Sequence, residues 1–349
     1  MFDGIKINYE INDFELWKKT VNIEFYTPID LQTGEVKERI RNFGGNVISS
    51  ITHKGNFQTY CISVKETRKN ILKNKKTVSY FAEISGSLHK NYFEGNNYLP
   101  FKWDNLQTEL SNLENKLNLS NENLQIVNLE IGVNIQTPFE VTPFLRRNLI
   151  SYKGQSFNEY WPDNRGFVLG KFCKLSQYSV KIYDKGKQNN TPENIMRFEL
   201  RFTKMAILKK RGIENLNSLK CFHTSNSLLS LLLNAWDNVL IFDSVINLKD
   251  KRIKPKHRRL LDKGNNPRYW EEMKEKNKRE FNYKRNQFKH LVKIYGNDLH
   301  NQIKEMIKTE WENLTNNCTN LPSVNTENVY EFTVSQYPKR VQIYSLDKG

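Results

Sequence analysis

The strongest constraint on the fold is a change in hydrophobic periodicity near Lys204. Before that residue, four segments alternate apolar and polar residues with a period of two, as strands with one covered face do. These segments are residues 78–84, 127–135, 178–184 and 195–203. After it, the sequence is typical of helices with dense charge. The pattern predicts an α+β protein: a central, mainly antiparallel sheet with flanking helices over residues 1–203, then a mainly helical basic region over residues 204–349.

Helices are predicted on both sides of that boundary. Segment 103–119 carries leucines at three- and four-residue spacing, which indicates an amphipathic helix between two of the strands. From Lys249 to Lys293 the chain is strongly basic but keeps apolar residues such as Trp270 and Phe281. These apolar residues favour folded helices with a small core over a disordered tail.

The charge balance favours a polyanionic partner. Lys and Arg number 54 against 38 Asp and Glu, which gives a formal charge of +16 and an isoelectric point near 9.5. Nucleic acid is the commonest partner of such a protein, although ribosomal and peripheral membrane proteins share the sign. Charge alone therefore names no reaction.

Cysteine spacing and hydropathy predict a cytoplasmic protein with no membrane partner. The four cysteines lie far apart with no Cys-x-x-Cys pair, so neither a zinc module nor a disulfide framework is indicated. They are Cys61, Cys173, Cys221 and Cys318. No stretch approaches the roughly 18 apolar residues of a membrane span.

The polar faces of the four predicted strands carry groups that suit phosphoryl chemistry. They hold, strand by strand, Glu83; Glu130; Lys181, Tyr183 and Lys185; and Arg197, Glu199 and Arg201. In one sheet these groups would converge on a face that nucleic acid could approach. The plainer interpretation is that they are ordinary solvent-facing residues of amphipathic strands. The histidines form no His-x-His pair, so a two-histidine metal site is not predicted.

Paired carboxylates can hold Mg²⁺ or Mn²⁺, and the ion can polarise a scissile phosphate. A phenol with a pKa near 10 needs help to act as a nucleophile at neutral pH, which Lys181 or Lys185 could provide. Attack by Tyr183 on DNA would then leave a phosphotyrosine and a free 3′-hydroxyl.

Several motifs resemble those of rolling-circle replication initiators. The segment IYDKGKQ, residues 182–188, followed by MRFELRF, residues 196–202, resembles the paired motifs of trans-acting plasmid Rep proteins. VNLEIGVNI, residues 127–135, is similar to their earlier acidic strand. GSLHKNYFEGNNY, residues 86–98, resembles a signature of phage and plasmid replication proteins of the gene II/X type.

The resemblance implies a role for each matching residue. Tyr183 would be the strand-cutting nucleophile, Lys185 the family lysine, and Glu130 and Glu199 ligands of Mg²⁺ or Mn²⁺. Glu83, which precedes the Gly-Ser-Leu motif, is a third candidate ligand or a structural carboxylate. Gln188 departs from the pattern, because many relatives carry Glu there, so an acid or base role at that position is in doubt.

The resemblance also implies a mechanism and partners. The protein would nick one strand at a plasmid or phage origin and form a 5′-phosphotyrosyl intermediate, leaving a 3′-hydroxyl to prime rolling-circle replication. Origin DNA, with a hairpin or single-stranded nick site, and the host helicase and polymerase would be partners, and a homodimer is a further expectation. We expect cations to contact DNA at the nick site and, for origin recognition, in the helical region. They are Lys181, Arg197 and Arg201, and Arg258, Arg259, Lys263 and Arg268.

Two alternatives remain at this stage. A mobilisation relaxase or a transposase would use the same tyrosine for another purpose. A non-catalytic nucleic-acid-binding protein would keep Glu130 and Glu199 as structural residues. The sequence also leaves the group that ends the cycle open: Tyr152, Tyr160, Tyr178 or an activated water.

Overall fold

The structure is a computed structural model that describes residues 2–43, 46–71, 75–120, 124–161 and 166–315. Thirteen strands are present in these ranges: β1 (Phe2–Ile11), β2 (Arg39–Phe43), β3 (Asn46–Phe57), β4 (Tyr60–Ile71), β5 (Lys75–Ser87), β6 (Leu124–Gln136), β7 (Leu149–Tyr152), β8 (Gln155–Ser156), β9 (Asn158–Tyr160), β10 (Gly170–Lys174), β11 (Tyr178–Asp184), β12 (Ile195–Phe202) and β13 (Val239–Ile241). Ten of them form one antiparallel sheet in the order β2-β3-β4-β5-β1-β6-β12-β11-β10-β9, and β13-β7-β8 form a small second sheet.

The same ranges contain twelve helices: α1 (Phe14–Val21), α2 (Leu88–Tyr92), α3 (Trp103–Lys116), α4 (Val141–Arg147), α5 (Lys185–Asn189), α6 (Ala206–Lys209), α7 (Leu216–Lys220), α8 (Phe222–Trp236), α9 (Pro255–Gly264), α10 (Pro267–Lys276), α11 (Lys278–Tyr295) and α12 (Leu299–Thr315). The predicted α+β fold is confirmed. None of the described helices is both long and apolar enough to cross a membrane.

The four predicted strands are β5, β6, β11 and β12, and all lie in the large sheet. The predicted amphipathic helix is α3, whose leucines are buried. The sequence interpretation did not include β1, which lies between β5 and β6. Its segment IKINYEI does alternate, with Ile5 and Ile7 buried and Lys6 and Asn8 more exposed, so the signal was present.

The core on one face of the sheet extends past the predicted boundary at Lys204. Phe2 of β1 and Leu200 of β12 lie in the same buried cluster as Trp236 of α8 and Trp311 of α12. The rings of Phe2 and Trp311 are 6.4 Å apart. Helices α6, α7, α8 and α12 therefore cover the sheet and share its core, rather than starting a separate region at residue 204.

A second buried cluster is formed by Ile150 of β7 and by residues between 240 and 295, among them Trp270, Phe281 and Phe288. The prediction that Trp270 and Phe281 belong to a small core is confirmed. Helices α9 and α10 both begin with proline at the first turn, where the missing N–H costs no hydrogen bond. Residues 316–349 of the predicted helical region, with Cys318, lie outside the described residues.

Candidate active site

Strand pairing brings several of the predicted residues together on the face of the sheet opposite the core. Lys181 of β11 lies opposite Glu199 of β12, and Tyr183 lies opposite Arg197. Arg201 lies opposite Glu130 of β6. These strands line a pocket of about 340 Å³.

An irregularity in β1 adds a carboxylate that the sequence interpretation missed. Phe2 pairs with Ile131 and Ile5 pairs with Leu129, so Asp3 and Gly4 together lie opposite Glu130. A bulge of this kind redirects a side chain, and Asp3 lies beside the polar face. The only sequence signal was a polar residue before an alternating strand.

Asp3, Glu130 and Glu199 form a carboxylate cluster. One oxygen from each lies within 4.8 Å of the others. Three carboxylate oxygens are the hard ligands that Mg²⁺ and Mn²⁺ prefer, so the donor set fits such an ion. The structure does not bring Glu83 to this cluster. It pairs with Lys6 at 2.7 Å, and both side chains are well exposed.

Arg197 is fully buried among these acids, with 1% of its surface exposed. Its Nε donates to Glu199 at 2.6 Å, and its Nη2 donates to Asp3 at 3.2 Å. Its Nη1 donates to Asn134 at 3.0 Å. The expectation that Arg197 contacts DNA needs correction, because the guanidinium is already engaged with the carboxylates and is not accessible.

The three carboxylates differ in proton affinity. Burial raises the pKa of Glu199, but Arg197 and Lys181 outweigh burial and hold it below its ordinary value. For Asp3, Arg197 and Ser87 outweigh burial in the same way and lower the pKa. Burial, and next the charge of Glu199, raise the pKa of Glu130 to about 7. Glu130 is therefore the member of the cluster that exchanges a proton near neutral pH.

Glu130 is held from two sides. Arg201 Nε lies 3.1 Å from one carboxylate oxygen, with the arginine side chain about half exposed. A Cβ at Gly4 would lie 2.8 Å from the Glu130 carboxyl carbon, so the glycine makes room for the acid. A larger residue at position 4 would displace the carboxylate.

Tyr183 lies at the base of the pocket and is 4% exposed. Its hydroxyl donates to Glu199 at 3.3 Å, and its ring contacts Tyr160 with centroids 5.4 Å apart. Burial and the charge of Glu199 raise its pKa well above 10. The hydroxyl is therefore protonated at rest, and its use as a nucleophile requires a proton acceptor and added positive charge.

Lys185 is a second candidate for a proton acceptor, besides Glu199, to which the Tyr183 hydroxyl donates. It does not continue β11 as the alternation predicted. It begins α5 behind the Asp184 cap and is fully buried. Its Nζ donates to Asn97 and to Gln188, each at 2.8 Å, and lies 6.0 Å from the Tyr183 ring centroid. Burial, and next Arg197, lower its pKa to about 7.

The departure at Gln188 therefore has a physical consequence. A glutamate there would place a negative charge beside Lys185 and stabilise its ammonium form. The neutral amide accepts the same hydrogen bond without that charge.

The Gly-Ser-Leu-His-Lys segment supports the site. Ser87 caps α2 by accepting from the Lys90 backbone, and its hydroxyl also hydrogen-bonds to Asp3. Lys90 lines the pocket, and Leu88 is buried in the core. The motif thus connects helix packing to the orientation of Asp3.

The two other predicted cations at the pocket lie in different settings. Lys181 Nζ pairs with Glu199 at 3.0 Å and lies 5.3 Å from the centre of the Tyr160 ring. Arg201 is the more accessible of the two. Both line the pocket, so a phosphate that entered it would meet them.

The three tyrosines considered as second nucleophiles lie at different distances from the pocket. Tyr160 lines the pocket. Tyr152 and Tyr178 are not among its lining residues; their hydroxyls lie 2.8 Å apart, with Lys153 Nζ 2.9 Å from Tyr178. Tyr160 is the one of the three beside Tyr183.

The predicted DNA-binding cations of the helical region differ in exposure. Arg259 and Lys263 are exposed and line a groove of about 440 Å³ with Lys256, Tyr269 and Lys284, called here the basic groove. Arg268 is exposed in the first turn of α10.

Arg258 differs from these cations. It is half-buried, and its Nη2 donates to the backbone oxygens of Asp250 and Ile253 at 3.0 and 3.3 Å. It holds the loop before α9, so the expected DNA contact needs correction.

No known protein family matches the chain. No curated protein matches it either. Comparison with solved structures finds the rolling circle replication initiator protein from Geobacillus stearothermophilus. The two are 10% identical, with a TM-score of 0.31 over 72% of this chain and 89% of that one. A likeness this distant transfers no residue role to this chain.

Proposed function

We propose that the protein is a replication initiator that nicks one DNA strand with Tyr183. The observation that carries the proposal is the pocket itself: the Tyr183 hydroxyl and three carboxylates meet on one face of the sheet. Lys185, whose pKa is lowered to about 7, has its Nζ 6.0 Å from the Tyr183 ring centroid. A phenol beside a metal-type acidic cluster suits attack on a phosphodiester, which needs a nucleophile and charge neutralisation. The chain's net charge of +16 suits a DNA substrate.

The reaction first requires a group that accepts the proton of the Tyr183 hydroxyl. We assign this role to Lys185, since an amine with a pKa near 7 is half unprotonated at neutral pH. Tyr183 oxygen forms the new bond to the scissile phosphorus, and the bond to the 3′-oxygen breaks. The leaving oxygen takes up a proton and becomes the free 3′-hydroxyl, while the 5′-phosphate stays on the tyrosine. The ester bond is kept, so the step can run backwards to reseal the strand.

The reaction also requires positive charge beside the scissile phosphate. Asp3, Glu130 and Glu199 would hold Mg²⁺ or Mn²⁺, which when bound supplies positive charge to the phosphate. Arg197 fixes Asp3 and Glu199 in place before any ion arrives. Lys181 and Arg201 at the wall of the pocket would orient the phosphate.

The exposed cations of the basic groove fit the second part of the function, contact with double-stranded origin DNA. Arg259 and Lys263 belong to a rigid helix with a buried core behind it, as a DNA-contacting helix requires. Host polymerase would extend the 3′-hydroxyl that the nick provides, and host helicase would unwind the duplex from the nick.

A nicking assay tests the proposal. Purified protein is incubated with its own supercoiled replicon and Mg²⁺ or Mn²⁺, and conversion to the open circle is followed. Tyr183→Phe should abolish the nick, and a chelator should do the same to the wild type. Tyr160→Phe is the matched control, because it removes a hydroxyl from the same pocket, and it should keep the first nick.

The outcomes also separate the alternatives. If Tyr160→Phe loses the nick and Tyr183→Phe keeps it, the nucleophile is Tyr160. The absence of any nick on the cognate circle would favour a non-catalytic binding protein. A relaxase or transposase would nick as well, but its gene and origin would not suffice to maintain a small circle in a host.

A further inference from the structure

The face of the sheet that carries Tyr183, Glu199 and Glu130, called here the open face, continues far beyond the pocket. Because side chains alternate along a strand, register identifies the residues that share this face. Glu83 of β5 lies opposite Asn8 of β1 and opposite Ser63 of β4. The same face then runs through β4, β3 and β2, which the catalytic proposal does not use.

This outer part of the open face is basic. It carries five exposed cations: Arg39 and Arg41 on β2, Lys54 on β3, and Lys65 and Lys69 on β4. Their positions follow from the register, since Arg39 pairs with Ser50 and Ser50 pairs with Thr67. The acid of these three strands, Glu66, lies on the opposite face, where it contacts His53 and Arg68.

Most residues between these cations are small and polar, apart from Ile48, which lies between Arg41 and Lys69, and one aromatic residue. Ser50, Thr67 and Ser79 form one row across β3, β4 and β5. Phe81 lies next to Lys65 on the same face and is 45% exposed. Its neighbour Tyr80 points to the other face and stacks on Phe14 of α1 at 5.5 Å. Phe81 is therefore an exposed ring between Lys65 of β4 and Glu10 of β1.

We propose that the outer part of the open face binds single-stranded DNA that leads to the pocket. Cations that follow a backbone, together with a ring on which an unpaired base can stack, are the features of single-strand binding surfaces. A duplex would keep its bases stacked on each other and would not use Phe81. The path is continuous, because β5 is joined to β6 through β1, and Lys6 and Ser85 line the pocket. Four strand spacings separate β3 from β6, or roughly 19 Å at about 4.8 Å each.

The proposal rests on the proposed function for its direction towards Tyr183, but binding can be measured without nicking. The full chain carrying Tyr183→Phe is titrated with a labelled oligothymidine and with a duplex of the same length, over a range of salt. The test variants are Lys65→Gln with Lys69→Gln, and separately Phe81→Ala. The control is Lys19→Gln with Lys116→Gln, which removes the same charge from exposed positions on α1 and α3, helices of the other face.

The paired lysine change should lower the slope of log affinity against log salt by about 1.4, since each single-strand phosphate contact contributes about 0.7. Phe81→Ala should weaken oligothymidine binding roughly five- to tenfold and leave duplex binding nearly unchanged, as loss of a stacking ring does. The control pair should leave the slope higher than the test pair does.

An unchanged slope in the test pair, or an equal fall in the control pair, would overturn the proposal. Equal weakening of duplex and single strand by Phe81→Ala would overturn it too. The failure is distinct from failure of the proposed function, because nicking of the supercoiled circle by the wild-type chain is measured separately.

Discussion

The pocket around Tyr183 and the basic groove on α9 both carry dense charge, but they hold it in opposite ways. In the pocket, Arg197 and Glu199 are nearly inaccessible and bonded to each other. In the groove, Arg259 and Lys263 are exposed, and the buried residues beneath them are apolar. Buried paired charges fix geometry and shift pKa values, while exposed charges leave the fold almost unaffected and act on a partner. We therefore expect the buried charges of the pocket to act in the reaction and the exposed charges of the groove to act in DNA binding.

The largest expected effect of this difference is on stability. Arg197→Met should lower the free energy of unfolding by about 3–5 kcal/mol, because Asp3 and Glu199 would be left buried without their partner. Denaturant unfolding of the full chain measures it. Arg259→Met in the groove is the matched control and should change stability by less than about 0.5 kcal/mol. Equal losses of unfolding free energy in the two variants would mean that the buried and the exposed arginine do not differ in their effect on stability.

The next effect is on the rate of nicking. Lys185→Met should slow it by roughly 10²–10⁴-fold, the range that a positioned acid or base contributes. Lys185→Arg should not restore the rate, because a guanidinium keeps its proton at neutral pH. Rescue by arginine would mean that the position supplies charge and no proton transfer. Single-turnover nicking across pH measures both variants.

A smaller effect is the pH dependence that Glu130 imposes. Between its ordinary pKa of 4.5 and about 7, the folded protein holds a proton that the unfolded chain has released. Without metal, stability should therefore fall as pH rises through this window, and Glu130→Gln should flatten the fall. Mn²⁺ binding displaces that proton. The affinity of the cluster for Mn²⁺ should therefore rise by up to about tenfold per pH unit below pH 7 and level off above pH 7. Calorimetric titration measures it, and a pH-independent affinity would contradict the assignment.

The smallest effect is expected in the groove. Arg259→Gln with Lys263→Gln should lower the salt slope of binding to duplex origin DNA by about 1.8, at about 0.9 for each phosphate contact. Lys19→Gln with Lys116→Gln is again the control. Stability and nicking of a single-stranded oligonucleotide should be unchanged in both. A loss of nicking on that substrate would show that the groove takes part in the chemistry.

The sequence predicted the elements and the faces well, because both follow from local alternation. Glu130, Tyr183 and Glu199 each lie on the polar face that period two assigned to them, and the register of β6, β12 and β11 brings them together. The α+β fold and the core role of Trp270 follow from the same kind of pattern.

The rest depends on features that have no local pattern. Asp3 reaches the cluster only through the irregular pairing of β1, and a strand bulge is not visible in alternation. Arg197 and Arg258 look like surface cations in the sequence, but their burial depends on tertiary neighbours. The boundary near Lys204 marked a change of element type, while the core continues through Trp236 and Trp311.

If Tyr183 is the nucleophile, it becomes covalently joined to DNA, and peptide mapping of the adduct identifies the modified residue. Trypsin cuts after Lys181 and Lys185, so the peptide of residues 182–185 contains Tyr183 as its single tyrosine, while Tyr178 and Tyr160 fall in other peptides. The wild-type protein is reacted with its cognate replicon and Mn²⁺, digested with nuclease and trypsin, and analysed by mass spectrometry. We expect a nucleotide on residues 182–185 of the wild-type protein and none on this peptide in Tyr183→Phe. A nucleotide on another peptide, with residues 182–185 unmodified, would contradict it.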